Sequence, residues 1–391
     1  MREQLEGSQA VARAVARCRP EVVSAYPISP QTHIVEALSD MVRTGELAPC
    51  EYLLVESEFA AMSAAIGASA AGARAYTATA SQGLLYMAEA LYNASGLGLP
   101  VVMTLANRAI GAPINIWNDH SDAMSQRDSG WIQLYAESNQ VAVDLHIQAF
   151  KLAEALSLPV MVCMDGFVLT HAVEGVDVPS QEQVDAILPP YRPRQVLDPD
   201  APMTIGAMVG PDAFTEVRYL AHQRHREALT VIPRIADEFA QEFWRSSGGL
   251  VRPYGCLGAE TVVVALGSVL GTLKDTVDEL RAEGLSIGVL GVTTFRPFPS
   301  SAVRAVLRGA RRVVVLERAL AVGMGGIVAA DVRGSVPEAS IATVIAGLGG
   351  RPVTKASLRA MLTDAAAGRL DPLTFLDLKD DVVERELRRT G

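Results

Sequence analysis

The sequence predicts an α/β protein with two parallel-sheet domains. Three observations carry that expectation. Short apolar runs of about five to seven residues alternate with helical stretches of about 10–15 residues, the rhythm of a parallel sheet covered by helices on both faces. The rhythm lapses between about 176 and 258 and then resumes. Finally, 49 % hydrophobic residues with 20 % charged and 32 Gly supply enough apolar surface for large buried sheets and exclude a disordered chain.

The elements follow in order. The N-terminal MREQLEGSQAVARAVARC reads as an amphipathic helix interrupted by charge, without the continuous apolar core of a signal peptide. EVVSAYPIS is a strand, PQTHIVEALSDMVRTGEL a helix opened by Pro30, and EYLLVE a strand. SEFAAMSAAIGASAAG is a helix with Ser57 as N-cap, ending near Gly72. RAYTATA is a strand, SQGLLYMAEALYNASGL a helix and LPVVMTLAN a strand. A long loop from Arg108 to Trp131 leads to a helix around 137–156 and the strand LPVMVCMDG. These make a first domain over 1–175.

Residues 176–258 are read as a connector: a Pro- and Asp-rich stretch that favours a surface path, then one long polar helix around FTEVRYLAHQRHREALTVIPRIADEFAQEFW. From 259 to 391 the strands ETVVVALGS, SIGVLGVTTF, RRVVVLER and ASIATVIAGLG alternate with helices in a second, smaller α/β domain, followed by a tail ending in the charged helix DDVVERELRR.

The charge balance of 34 Lys+Arg against 44 Asp+Glu gives −10, which does not suggest a nucleic-acid-binding face. The acidic balance also disfavours direct docking of an acidic redox protein, which would meet another subunit instead. Cys18, Cys50, Cys163 and Cys256 are scattered, with no C-x-x-C pair to hold an iron–sulfur cluster or structural zinc. Such cysteines fit a reducing cytoplasm. No apolar run is long enough to span a membrane, so a soluble protein is expected.

In open parallel sheets ligands gather beyond the carboxyl ends of strands. That rule selects Tyr26–Thr32, Glu56–Glu58, Ala80–Gly83 and Asn107–Trp131. Glu58, in the first turn of an Ala-rich helix, is either a carboxylate favoured by the helix dipole or one positioned to hydrogen-bond a cofactor nitrogen. Ser29 before Pro30 is either ordinary cap chemistry or a hydroxyl aimed at a substrate anion. Arg108 offers a bidentate pair to a carboxylate substrate or a structural salt bridge. The loop INIWNDHSDAMSQRDSGW reads as an ordered active-site or interface loop, with too few convergent oxygens for a hard cation. GMGGIVA lacks the third glycine of a dinucleotide fingerprint, and His222 and His225 read as part of a solvated helix face.

YPISPQTHIVEALSDMVRTGEL, VESEFAAMSAAIGASAAGARAYTATASQGL, NRAIGAPINIWNDHSDAMSQRDSGWIQLYAESNQ and LPVMVCMDGFVLTH, continued by VTTFRPFP and AGLGGRPVT, resemble the alpha chain of pyruvate:ferredoxin oxidoreductase (pyruvate synthase), within the 2-oxoacid:ferredoxin oxidoreductase family. The resemblance implies that the first domain binds the pyrimidine of thiamine diphosphate and that the second is like a transketolase C-terminal domain. It implies that Glu58 contacts N1′ of the aminopyrimidine, that Ser29 and Arg108 hold the substrate carboxylate, and that Ser81 and Gln82 line the cofactor cleft. The implied reaction is oxidative decarboxylation of a 2-oxoacid, with electrons passed through iron–sulfur clusters to ferredoxin and the acyl group to coenzyme A.

The sequence has no G-D-G…N stretch and no cluster cysteines. Mg2+ with the diphosphate, and the [4Fe-4S] clusters, are therefore expected on partner chains: a beta subunit and gamma- and delta-type subunits. Phe59 and Ala60 follow Glu58 where the family pattern leads one to expect His and Ser, which would make the pocket more apolar. The expected substrate is pyruvate. Another 2-oxoacid (2-oxoglutarate or a branched-chain acid) and a non-catalytic scaffold are the alternatives. A nicotinamide-linked dehydrogenase would depend on GMGGIVA.

Overall fold

Val, Ile and other apolar runs become strands here because β-branched side chains pack well on a pleated, buried surface. In the computed structural model, which describes residues 2–390, they form two large sheets beside a small two-stranded one; Met1 and Gly391, the ends of the first and last expected segments, lie outside the described residues. The first sheet has seven strands, in the order Thr294–Arg296, Ile132–Tyr135, Val160–Asp165, Val102–Asn107, Ala75–Thr79, Val22–Ala25, Glu51–Leu54. All pairings are parallel except that of the edge strand Thr294–Arg296 with Ile132–Tyr135. Its central strands Val102–Asn107 and Val160–Asp165 are buried throughout, as a sheet covered on both faces requires.

The second sheet has six strands, in the order Leu373–Phe375, Ser340–Ile345, Arg312–Glu317, Thr261–Ala265, Ile287–Val292, Val251–Tyr254. Only Val251–Tyr254 runs antiparallel. That strand lies in the stretch read as connector, yet it pairs with the second sheet. The two sheets share a core: Met62, Leu105 and Cys163 pack in one cluster with Val262, Val264, Phe295 and Val315. Burying a side chain such as Phe295 stabilises by roughly 1.5–3 kcal/mol.

Several elements depart from the sequence reading. The N-terminal segment opens as strand Glu3–Glu6, paired antiparallel with Val173–Val176, and becomes helix only at Gly7–Arg17. The helix expected from Ser81 onward breaks at Met87 into Ser81–Tyr86 and Ala88–Leu97. The run SIGVLGVTTF is divided: Ile287–Val292 stays in the second sheet while Thr294–Arg296 crosses to the first. Period-2 alternation identifies an extended run but not the sheet it joins. The loop 108–131 carries a short helix, Ser121–Ser125, and is followed by the strand Ile132–Tyr135, too short to stand out from the loop.

The helix after the first parallel strand begins at Thr32, two residues beyond Pro30. Gln31, fully buried, donates through Nε2 to Tyr26 O at 2.9 Å and Ala78 O at 3.2 Å, which pins the Ser29 turn to the neighbouring strand. Ser57 caps helix Glu58–Ala70 as expected, its hydroxyl accepting from Ala60 N–H at 3.1 Å. The long helix spans Pro211–Phe243, with Ile232, Ile235, Phe239 and Phe243 buried. His225 on this helix is not on a solvated face: it is half-buried, with its ring nitrogens 2.9 Å from Ala221 O and Gly130 O.

Candidate active site

In the first sheet the strand order reverses at Val22–Ala25, whose neighbours are Glu51–Leu54 on one side and Ala75–Thr79 on the other. The connections leaving Val22–Ala25 and Ala75–Thr79 run in opposite directions, and the turns beyond their carboxyl ends line the crevice where such sheets bind ligands. Ser29 lies in one turn and Ser81 and Gln82 in the other. Glu58 follows the adjacent strand, and Arg108 follows Val102–Asn107. All five residues singled out in the sequence therefore gather at one end of one sheet.

Glu58 is buried, 7 % exposed, at the head of its helix. Its carboxylate makes no hydrogen bond or ion pair among the described residues. Glycine at position 83 leaves room for it: a Cβ there would lie 2.6 Å from Glu58 Oε1 and 2.5 Å from Thr79 Oγ1. Thr79 Oγ1 is itself buried without a partner. Buried polar groups normally find partners, because leaving one unsatisfied costs about 1–3 kcal/mol. That argument applies to the Thr79 hydroxyl; the Glu58 oxygens keep a little contact with solvent, so a carboxylate without a protein partner stands beside an orphan hydroxyl, two polar groups that a ligand could satisfy. Phe59, the next residue, is 39 % exposed and its ring lies 6.4 Å from that of Tyr86.

Arg108 is buried, 7 % exposed. Its Nη1 donates to Ser29 O at 2.9 Å and its Nε to Asn115 O at 3.2 Å, leaving Nη2 without a partner among the described residues. Burial lowers the guanidinium pKa and the nearby Asp122 carboxylate opposes that drop. The Ser29 side chain is exposed beside it. Ser81 takes a left-handed backbone, φ +50°, and its hydroxyl, with one hydrogen to give, lies against two acceptors, Ala109 O at 2.5 Å and Gln82 Oε1. The chain packs tightly here: a Cβ on Gly166 would sit 2.5 Å from both Asn107 O and Pro30 Cγ.

Sequence reasoning passed over the carboxylate that ties these turns together. Asp122, in the NDHSD loop, is fully buried and accepts from Ser81 N–H at 3.0 Å, Arg108 N–H at 2.9 Å, Asn107 Nδ2 at 2.8 Å and Ala123 N–H at 2.8 Å. Asp119 in the same loop accepts from Ser121 N–H and, across to the second sheet, from Gly349 N–H at 3.0 Å. The polarity of that loop was the available signal.

The second sheet has its own switch point, between Thr261–Ala265 and Arg312–Glu317, and the first sheet fills it. Asp165, at the carboxyl end of Val160–Asp165, accepts from Arg318 Nη1 at 2.9 Å and Ser268 N–H at 2.9 Å, and lies 2.6 Å from His120 Nε2. Gly267 admits this contact, since a Cβ there would be 3.1 Å from both Asp165 Oδ2 and His120 Nε2. Burial by itself would raise the Asp165 pKa; the Arg318 and His120 charges outweigh it and hold the carboxyl well below the usual range. Both Asp165 and Arg318 stand at strand ends, the positions the ligand rule marks, but nothing local says that they meet.

The GMGGIVA turn has a concrete use. The amides of Ile327, Val328 and Ala329, which a phosphate would occupy, are taken by the buried Glu317 carboxylate at 2.7–3.1 Å. Glu6, His33 and His171 bring ligand atoms within 4.8 Å of one another. The two imidazole rings partly face each other, 4.8 Å apart and tilted 36°, rather than aiming in-plane lone pairs at a common point.

Two doubly wound sheets joined through their carboxyl ends, one crevice filled by Asp165 and the other flanked by a buried carboxylate without a protein partner, define an α/β enzyme subunit whose ligand site is on the first sheet. The chain belongs to the pyruvate:ferredoxin oxidoreductase family: residues 13–237 match the model for the thiamine-diphosphate-binding domain of pyruvate flavodoxin/ferredoxin oxidoreductase, and residues 259–358 match its core domain II. The pyruvate synthase subunit PorA of Methanosarcina barkeri is 47 % identical over 97 % of each chain. The ketoisovalerate oxidoreductase subunit VorA of Pyrococcus horikoshii is 39 % identical over 94 % of this chain and 95 % of that one. Among solved structures, the 2-oxoglutarate:ferredoxin oxidoreductase from Magnetococcus marinus superposes with TM-score 0.72 at 20 % identity, covering 93 % of this chain and 65 % of that chain. A split-gene transketolase superposes with TM-score 0.54 at 13 % identity, covering 94 % of this chain and 100 % of that one. At these identities the structural likeness is one of fold. No helix among the described residues is long and apolar enough to cross a membrane.

Proposed function

We propose that this chain is the alpha-type subunit of a thiamine-diphosphate-dependent 2-oxoacid:ferredoxin oxidoreductase that converts pyruvate, with coenzyme A, to acetyl-CoA and CO2. The observation that carries the reading is Glu58: a buried carboxylate with no partner among the described residues, beside the switch point of the first sheet and next to the orphan Thr79 hydroxyl. Those two groups, brought close together over the backbone of Gly83, offer the polar contacts that the edge of an aminopyrimidine needs. Thiamine diphosphate, when bound, supplies the electron sink for decarboxylating a 2-oxoacid.

Glu58 holds a proton at the pyrimidine N1′, and its apolar surroundings strengthen that hydrogen bond. Arg108 meets the substrate carboxylate through its free Nη2, with the Ser29 hydroxyl beside it. Ser81 and Gln82 line the cofactor side of the crevice. A beta subunit supplies Mg2+ and the diphosphate grip, and gamma- and delta-type subunits carry the [4Fe-4S] clusters that pass electrons to ferredoxin. The four free thiols suit a cytoplasmic setting.

The similarity to a ketoisovalerate oxidoreductase subunit supports a second reading, the same chemistry on a branched-chain 2-oxoacid. The test is a 2-oxoacid panel on the complete reconstituted complex with a viologen acceptor. Highest kcat/KM for pyruvate is expected. A preference for 2-oxoisovalerate would replace the substrate, and inactivity with every 2-oxoacid would overturn the enzyme.

A further inference from the structure

We propose that Asp122 is a positioning residue of this site: its ionised carboxylate clamps the Ser81 turn to the Arg108 turn and so sets the spacing between cofactor cleft and substrate arginine. The inference rests on the roles given above to Arg108 and Ser81.

The geometry is specific. Ser81 and Arg108 follow neighbouring strands, Ala75–Thr79 and Val102–Asn107, whose parallel pairing ends at Thr79 and Leu105. Beyond that point sheet hydrogen bonds no longer hold the turns together. One oxygen of Asp122 takes over, accepting from both backbone amides at 3.0 and 2.9 Å. The other oxygen accepts from Asn107 Nδ2 and Ala123 N–H, both at 2.8 Å. Four donors converge on one carboxylate, which has no hydrogen of its own to set against them. An amide or a protonated acid must turn a hydrogen toward one of the four.

Two further observations make this more than a buried acid. Ser81 sits at φ +50°, a backbone conformation that a non-glycine residue adopts at a cost and that the surrounding contacts must enforce. The loop that carries Asp122 is held from the second sheet: His120 N–H donates to Arg318 O at 2.8 Å, and Arg318 Nη2 donates to Asn118 Oδ1 at 2.7 Å. The loop that carries the clamp is thus braced on the part of the protein that does not line the crevice.

Ionisation is the lever that can test it. Burial pushes the Asp122 carboxyl up to about 6, against the pull of the bonds from Asn107, Arg108, Ser81 and Ala123. The titratable and charged groups coupled to it are the Arg108 guanidinium, the Tyr135 hydroxyl and the Cys163 thiol. Arg108 stays cationic and burial raises the other two further, so among these only Asp122 changes charge near that pH. As pH falls through about 6, the proton it gains breaks one bond of the clamp.

The experiment uses the reconstituted complex and follows KM for the 2-oxoacid and kcat/KM against pH. The wild type is expected to lose kcat/KM on an acid limb near pH 6. Asp122→Asn is expected to raise KM about tenfold or more, in line with lost hydrogen bonds to a charged group, and to lack that limb. Asn107→Ala, which removes one bond that holds the carboxyl down, is expected to move the limb to higher pH. That variant and the wild-type profile decide the matter if Asp122→Asn does not assemble. A wild type without the acid limb, a limb left in place by Asp122→Asn or by Asn107→Ala, or an unchanged KM in Asp122→Asn overturns the clamp. Glu58→Gln and Arg108→Ala run alongside: if they keep full activity, the reading of the site itself has failed, whereas their loss with a normal Asp122→Asn removes only this inference.

Discussion

Arg318 donates to Asp165 at 2.9 Å across the junction of the two sheets, and both side chains are almost wholly withdrawn from solvent. Each stands at the carboxyl end of a strand. The pair occupies what would otherwise be the ligand crevice of the second sheet, so that sheet braces the first. Ser268 and His120 complete the arrangement around the same carboxylate.

Breaking that pair should be costly. Asp165→Asn leaves the Arg318 charge buried without its counter-ion, and a loss of about 3–5 kcal/mol is expected in denaturant unfolding. The sign of the pH effect follows from the depressed carboxyl. Its folded pKa lies below the unfolded value of about 3.9, so its stabilisation is present above that pH and lost as pH falls through the folded value. The wild-type chain should lose stability on acidification below about pH 4, and Asp165→Asn should flatten that slope. An unchanged unfolding midpoint would show that the pair contributes nothing net.

Glu58→Gln keeps the size of the side chain and removes its charge. Turnover of the reconstituted complex should fall by about 10²-fold or more, the scale of a lost proton-handling group, while assembly and melting temperature stay near wild type. Steady-state turnover with size-exclusion profiles checks this. Full activity would remove Glu58 from the mechanism.

Arg108→Ala should weaken use of the 2-oxoacid by about 2–3 kcal/mol in kcat/KM, the range of a hydrogen bond to a charged group. The effect should fall mainly on KM. Arg108→Lys, which cannot reproduce the planar fork, should recover only part of it. A KM unchanged for every 2-oxoacid would refute the carboxylate-binding role.

Gly83→Ala inserts a methyl group 2.6 Å from Glu58 Oε1 and 2.5 Å from Thr79 Oγ1. Overpacking of this kind costs about 1–3 kcal/mol, and here it pushes directly on the carboxylate. Thiamine diphosphate affinity of the assembled enzyme, read by fluorescence titration, should drop at least severalfold. Unaltered affinity would place the cofactor elsewhere.

Much of this molecule could be read from its residues. The βα rhythm announces two parallel sheets, Ser57 marks the helix that presents Glu58, and the strand-end rule picks out the turns that carry Ser29, Glu58, Ser81 and Arg108. Those features are local: periodicity, caps and strand ends are properties of neighbouring residues. What tertiary structure alone decided were the pairings between distant residues. Thr294–Arg296 left its own sheet to extend the other, Asp165 filled the opposite crevice, and Asp122 collected amides from two turns. A hydrogen bond forms where global packing brings its partners within reach and excludes water, and no short window of sequence encodes that distance.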